Sequence, residues 1–239
     1  MKPFYRTHKV SSCQGVHVFM SHGMGDKRWR DGPRIDYFDY VCVSVPRWTE
    51  KLTEQGIPTQ RILETGFSKL DPLFQGSISK SSHDKKVILY APTHTASAPC
   101  TSYLDFLIYL NQFPSCWTLL CCAHPYNRPG NRPVLQELAD ADAVTSDGSS
   151  VIYEAMSLGL PALFPDWLVR EAILKKWPHS FTAEIYREHI GHHSETIDQL
   201  IHKTSEALNQ APSEKERVLL TGFFRPSCGA NPARQLPGP

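Results

Sequence analysis

Five polar clusters close apolar, strand-like runs in this chain: "SHGMGDK" (21–27), "TGFSKLD" (65–71), "APTHT" (91–95), "AHP" (123–125) and "TSDGSS" (145–150). The last carries the most chemistry. Gly148 lets backbone approach a ligand, and Ser149 and Ser150 set hydroxyls beside the N–H groups of a first helical turn. The helix dipole there favours an anion such as phosphate. Asp147 shapes the turn, and Glu154, one turn into the helix, is placed to accept hydrogen bonds from ribose hydroxyls. An ordinary capped helix start is the competing reading, because Ser and Asp are favoured cap residues. His22 precedes Gly23 and Gly25, and its imidazole suits proton removal from a hydroxyl. His124 is held extended by Pro125 and is placed to meet a pyrophosphate or leaving group. Thr93 and His94 occupy the equivalent strand end in "APTHT".

Other clusters point less clearly to chemistry. "GHHSE" (191–195) pairs His192 with His193, but reads as a loop leading into a helix capped by Ser194, and no metal is expected. "DKRWRDGPR" (26–34) mixes both signs of charge and reads equally as an anion-facing or a solvated loop. The seven cysteines (13, 42, 100, 116, 121, 122 and 228) form no C-x-x-C pair and read as reduced, buried thiols. Over the 239 residues, apolar types make up 41%, charged types 21%, and the net charge is +1. That balance fits a globular chain and argues against nucleic acid as partner. No run reaches the ~18 apolar residues of a spanning helix, and the N-terminus lacks a signal-peptide core. A cytoplasmic protein is expected, with peripheral contact at the inner face of a membrane left open, as is a homo-oligomer.

These residues need a scaffold that brings strand ends together. Strands are expected at 15–23, 40–46, 61–66, 87–93, 116–125, 143–147 and 161–165. Helices are expected at 47–56, 102–113, 133–141, 149–159 and 194–210. Continuous apolar strands alternating with helices indicate a parallel sheet covered on both faces. "QGSISKSSHDKK" (75–86) is the linker candidate. The chain thus divides into a partial N-terminal Rossmann-like domain (1–76), a C-terminal Rossmann-like nucleotide-binding domain (85–215) and an irregular tail (216–239). The fold class is α/β, with ligands expected outside the carboxyl ends of the strands.

Taken in order, "SHGMGDK", "YVCVSVPRWTEKL", "GFSKLDPLF", "VILYAPT", "AHP" and "AVTSDGSSVIYEAMSLGLPALF" resemble the CDP-glycerol glycerophosphotransferase family, the teichoic acid primases and polymerases. The resemblance covers roughly residues 15–165. It implies two facing Rossmann-like domains in the GT-B arrangement, with the N-terminal one incomplete here. It also implies a CDP-glycerol-like nucleotide donor as substrate, no firm cofactor, and a polyol or glycan hydroxyl acceptor that can be lipid-linked. In that frame His22 is the base. His124, with Thr93, His94, Asp147, Gly148, Ser149, Ser150 and Glu154, lies on the donor side, and Lys27 and Asp71 lie on the acceptor side. A glycosyltransferase or nucleotide-sugar 2-epimerase on the same fold, and a non-catalytic nucleotide- or glycan-binding remnant, are the alternatives.

Overall fold

The computed structural model describes residues 15–20, 23–26, 35, 38–127 and 133–217. Among them the strands are β1 (Val18–Met20), β2 (Tyr40–Val43), β3 (Ile62–Glu64), β4 (Lys86–Tyr90), β5 (Trp117–Cys121), β6 (Ala143–Thr145), β7 (Ala162–Pro165) and β8 (His192–Ser194). The helices are α1 (Pro46–Glu54), α2 (Asp71–Phe74), α3 (Tyr103–Phe106), α4 (Val134–Asp140), α5 (Ser150–Ser157), α6 (Asp166–Lys176), α7 (Phe181–Glu188) and α8 (Ile197–Ala207). All strand pairs are parallel. They build a three-stranded sheet in the order β1-β2-β3 and a five-stranded sheet in the order β5-β4-β6-β7-β8. The expected two-part Rossmann-like α/β architecture is present.

The three inner strands of the second sheet, β4, β6 and β7, read as the sequence predicts. Val87, Ile88, Leu89, Tyr90, Val144, Leu163 and Phe164 are buried, as strands covered on both faces require. The first sheet departs from that pattern. Its register aligns Phe19, Val41 and Ile62 in one buried row, while Val18, Met20, Tyr40 and Leu63 are exposed on the opposite face. The alternating burial shows that, among the described residues, only one face of this sheet is packed.

Local chemistry explains the helix that joins the two sheets. Pro46 starts α1, where its fixed φ costs nothing. Trp48 and Leu52, four apart, form the buried stripe, and Gly56 (φ +86) follows the end. Trp48 packs edge-on against Phe181 at 5.4 Å, and Arg47 binds Glu184 at 2.6 Å. Buried Asp26 accepts from the Phe181 N–H at 2.9 Å and pairs with Lys51. Burial pushes the Asp26 carboxyl above the ordinary aspartate value, against the pull of Lys51. A single apolar core therefore runs from Phe19 and Val41 through Trp48 to Ile152, Tyr153 and Phe181.

Several expectations need correction. The stretch 102–113 winds as α3 and then as 3₁₀ turns from Leu107 to Gln112. Leu110 and Phe113, three apart, both pack on the cluster around Ile88, Leu163 and Leu200, which three-residue winding serves. "GHHSE" contains strand β8, and the cap of α8 is Thr196, whose side chain accepts from the Gln199 N–H. Residues 166–188, for which the sequence reading assigns no element, form α6 and α7; apolar residues on several sides of α6 blur its period. Of the described cysteines Cys100 is buried, Cys42, Cys121 and Cys122 are half-buried, and Cys116 is exposed. Burial beside Glu137 holds the Cys122 thiol well above the usual range. The linker is tied down: Ser81 N–H donates to Asp140 at 2.8 Å and Lys80 binds Asp142 at 2.9 Å. Cys13, Cys228, most of 26–34 and nearly all of the expected tail lie outside the described residues.

Candidate functional site

The second sheet reverses its winding between β4 and β6, since the chain leaves β4 for β5 on one side and returns to β6 on the other. Crevices at such switch points, beyond the carboxyl ends of the strands, are where open α/β sheets bind ligands. Asp147, just past β6, closes the floor of this crevice. Its fully buried carboxylate accepts from Thr93 N–H at 2.9 Å, Thr93 Oγ1 at 2.5 Å, Ser102 N–H at 2.7 Å and Ser102 Oγ at 3.0 Å. Asp147 and Thr93 are thus bonded to each other and fix the two loops. Ser146 completes the clamp, donating to Ala91 O at 2.7 Å and accepting from the Gly148 and Ser149 N–H groups.

The clamp shapes the start of α5. Gly148 has φ +96, and a Cβ there would come within 2.3 Å of Thr182 Cγ2, so only glycine fits. Ser149 occupies the cap position but makes no side-chain cap bond. The first-turn N–H groups of a helix have no intrahelical partner. In α5 the Ile152 N–H bonds back to Ser149 O at 3.0 Å, so Ser150 and Val151 carry the remaining first-turn N–H groups, with the hydroxyls of Ser149 and half-buried Ser150 on the same turn.

The structure brings His94 and His124 together at the ends of β4 and β5, their ring centroids 5.0 Å apart. His124 is exposed, and its Nδ1 accepts from the Tyr126 N–H at 3.1 Å, which leaves Nε2 as the proton-bearing nitrogen of the neutral ring. Asn127 Oδ1 accepts from Thr95 N–H and Oγ1, joining the two loops that carry the histidines. The pair shares one sheet edge with α5.

On the other side, a cavity of about 250 Å³ opens at the ends of β1, β2 and β3, against Met20, Val43 and Thr65. Gly23 lines it and stands so close to α5 that a Cβ there would lie 3.4 Å from Ser150 Cβ. Lys69 also lines it and donates to both Glu154 oxygens, at 2.6 and 2.8 Å. Glu154 is fully buried, and burial raises its carboxyl above the ordinary glutamate value while Lys69 pulls it down. Ribose hydroxyls would have to displace that ammonium to reach Glu154. Asp71 begins α2, after buried Leu70. His22 and Lys27 lie outside the described residues.

The sequence reading did not single out Lys69, Ser102 or Ser146. Lys69 sits inside the quoted "TGFSKLD", but its partner is 85 residues away, and no spacing rule joins them. A further cluster lies at β7 and β8. His193 Nδ1 is 2.8 Å from Asp166 Oδ1, and ligand atoms of Asp166, His189 and His193 lie within 4.8 Å of one another. Arg170 Nη2 lies 3.2 Å from His189 Nε2, and its Nε lies 3.7 Å from Asp166 Oδ2. Arg170 thus reaches two of the three groups.

No protein-family model and no curated protein sequence matches the chain. Solved structures do. A structure of the wall teichoic acid polymerase TagF superimposes with a TM-score of 0.61 at 18% identity, over 92% of this chain and 65% of that one. A candidate UDP-N-acetylglucosamine 2-epimerase from Listeria monocytogenes gives 0.53 at 14% identity, over 90% and 66%. The S. aureus protein MnaA, solved with UDP, gives 0.51 at 12% identity, over 92% and 65%. This chain spans about two-thirds of the length of each. At these identities the likeness establishes the fold: a GT-B-type pair of Rossmann-like units.

Proposed function

We propose that this protein is a transferase that uses a nucleotide-activated donor, of the CDP-alditol class, and a hydroxyl acceptor. The observation that carries the reading is the uncapped start of α5 at the switch point, facing a second cavity across Gly23 and Ser150. In this reading the donor diphosphate lies on the α5 N–H groups and the hydroxyls of Ser149 and Ser150. His124, on the same sheet edge, supplies an Nε2–H to the charge that develops on the leaving group. Fixed donors of this kind are usually the largest electrostatic contribution to catalysis. His22, whose chain neighbours Met20 and Gly23 line the cavity, takes the proton of the acceptor hydroxyl. The acceptor oxygen then bonds to the β-phosphorus, the bridging P–O bond to the α-phosphate breaks, and CMP leaves.

A nucleotide-sugar reaction on the same site is the second reading, favoured by the fold shared with MnaA bound to UDP. Thermal-shift titration with CDP-glycerol, UDP-N-acetylglucosamine and CMP separates the two, followed by a CMP-release assay with a polyol acceptor. The transferase reading expects cytidine ligands to stabilise the protein and His22→Ala to lose turnover while keeping CMP affinity. Stabilisation by the uridine ligand alone, or equal loss of turnover and affinity in His22→Ala, would overturn it.

A further inference from the structure

The cavity at the ends of β1, β2 and β3 has a definite chemistry of its own. Its wall is aromatic, with Trp48 and Phe67 both buried in the core behind it. Its polar groups are the hydroxyls of Ser44, Thr65 and Ser68 and the Lys69 ammonium. Among the described lining residues Lys69 is the sole charged side chain, and its charge is already matched. An ammonium has three N–H donors. Two are spent on the oxygens of Glu154, leaving one for the space that Lys69 lines. The pair is neutral overall, so the described lining residues present an oriented donor and hydroxyls over aromatic carbon rather than a net positive charge. Aromatic faces meet the C–H faces of sugars, and hydroxyls meet their hydroxyls. A volume of about 250 Å³ is below the ~300–1,000 Å³ of drug-sized sites, which suits one small unit.

We propose that this cavity binds a neutral polyhydroxylated unit, a monosaccharide or a short alditol, with Lys69 donating to it and Glu154 holding Lys69 in place. The assignment rests on the reading of this face as the acceptor side. It specifies the acceptor's end group as uncharged. Glu154 acts here as a positioning and neutralising residue, which sets the selectivity of the cavity between a polyol and its phosphate ester.

Calorimetric titration of the full chain with ribitol, mannose, sn-glycerol 3-phosphate and CMP tests this. In wild type, ribitol or mannose binds, and sn-glycerol 3-phosphate binds no tighter. Lys69→Met weakens polyol binding about tenfold, the loss of one charge-assisted hydrogen bond. Lys69→Arg retains most of it. Because Lys69→Met leaves Glu154 buried without its partner, the Lys69→Met/Glu154→Gln double variant serves as the folded control and shows the same loss. Glu154→Gln releases the ammonium's charge and shifts the selectivity ratio about tenfold from ribitol toward sn-glycerol 3-phosphate. Tighter binding of the phosphate ester in wild type would overturn the proposal. So would an unchanged selectivity ratio in Glu154→Gln, or the absence of polyol binding. CMP in the same samples reports on α5 separately: if CMP fails to bind while the polyol binds, the nucleotide reading falls and the cavity assignment stands.

Discussion

At Gly148 two independent constraints meet, a backbone angle that L-residues rarely adopt and a threonine methyl at 2.3 Å from any added Cβ. Gly148→Ala is expected to cost at least ~2 kcal/mol in chemical denaturation. Adding Thr182→Ser removes the methyl but keeps the hydroxyl that bonds Tyr153, so it recovers only part of the loss. Glu154 offers a second test at this scale. Its carboxyl is raised by burial, so the folded state binds a proton more readily than the unfolded chain. The stability this adds is complete below the ordinary glutamate value and disappears as pH rises through the higher folded value. Wild type should therefore gain stability over Glu154→Gln as pH falls through that window, measured as the difference between their urea midpoints. A gain on raising pH would refute the assigned environment. The sequence marks Glu154 by its place one turn beyond Ser150. Its partner was not legible, because an ion pair between Lys69 and a residue 85 positions away is made by docking two units and leaves no periodic trace.

Helix α5 shows how an element can be recognised while its terminus is misjudged. The D-G-S-S start locates the beginning of the helix to within a residue, and the apolar period its end to within two. Cap statistics would then assign the Ser149 side chain to the first turn. The structure instead has Ser146 accept from the two N–H groups that precede the helix, those of Gly148 and Ser149, while the Ser149 side chain makes no cap bond. Ser149→Ala should thus cost less than the ~0.5–2 kcal/mol of a lost cap, while weakening CMP binding about tenfold if that hydroxyl meets phosphate. A full cap-sized stability loss with unchanged CMP affinity would return Ser149 to a structural role. Elements with a clean period, such as β4, β6 and α8, were readable from sequence. β8 was not, because "HHS" has no β-branched or aromatic run, and its strand character comes from pairing with β7.

On the scale of the whole molecule, the two sheets share the larger apolar core across α1 and α7, while a smaller cluster around Ile88, Phe106 and Leu200 belongs to the second sheet alone. Trp48 is the hinge of that arrangement, buried between Met24, whose carbonyl accepts its indole N–H, and the Phe181 ring. Trp48→Ala should lower stability by about 3–5 kcal/mol. Unfolding should remain a single transition, with far-ultraviolet dichroism and aromatic fluorescence tracing the same midpoint. Separate transitions for the two sheets would contradict a shared core. The α/β class followed from alternating apolar runs. The way the units face one another did not, because the residues that dock them (Asp26, Arg47, Lys51, Glu184) read as ordinary surface charges in a linear sequence.

The passage between the two sheets has a biochemical consequence of its own. Residues 75–85 carry no regular structure, yet Ser81 and Lys80 fasten them to Asp140 and Asp142 at the end of α4, and Lys86 joins the same carboxylate at 3.1 Å. Trypsin should therefore cut there slowly, despite three lysines in a polar stretch. Asp142→Asn, which weakens the attraction of both Lys80 and Lys86, should speed cleavage several-fold. Because the core spans both sides, the two fragments should then co-elute in gel filtration as one particle and separate only in denaturant. A nicked chain that still holds its shape would turn this loop into a practical site for inserting a reporter or a purification tag.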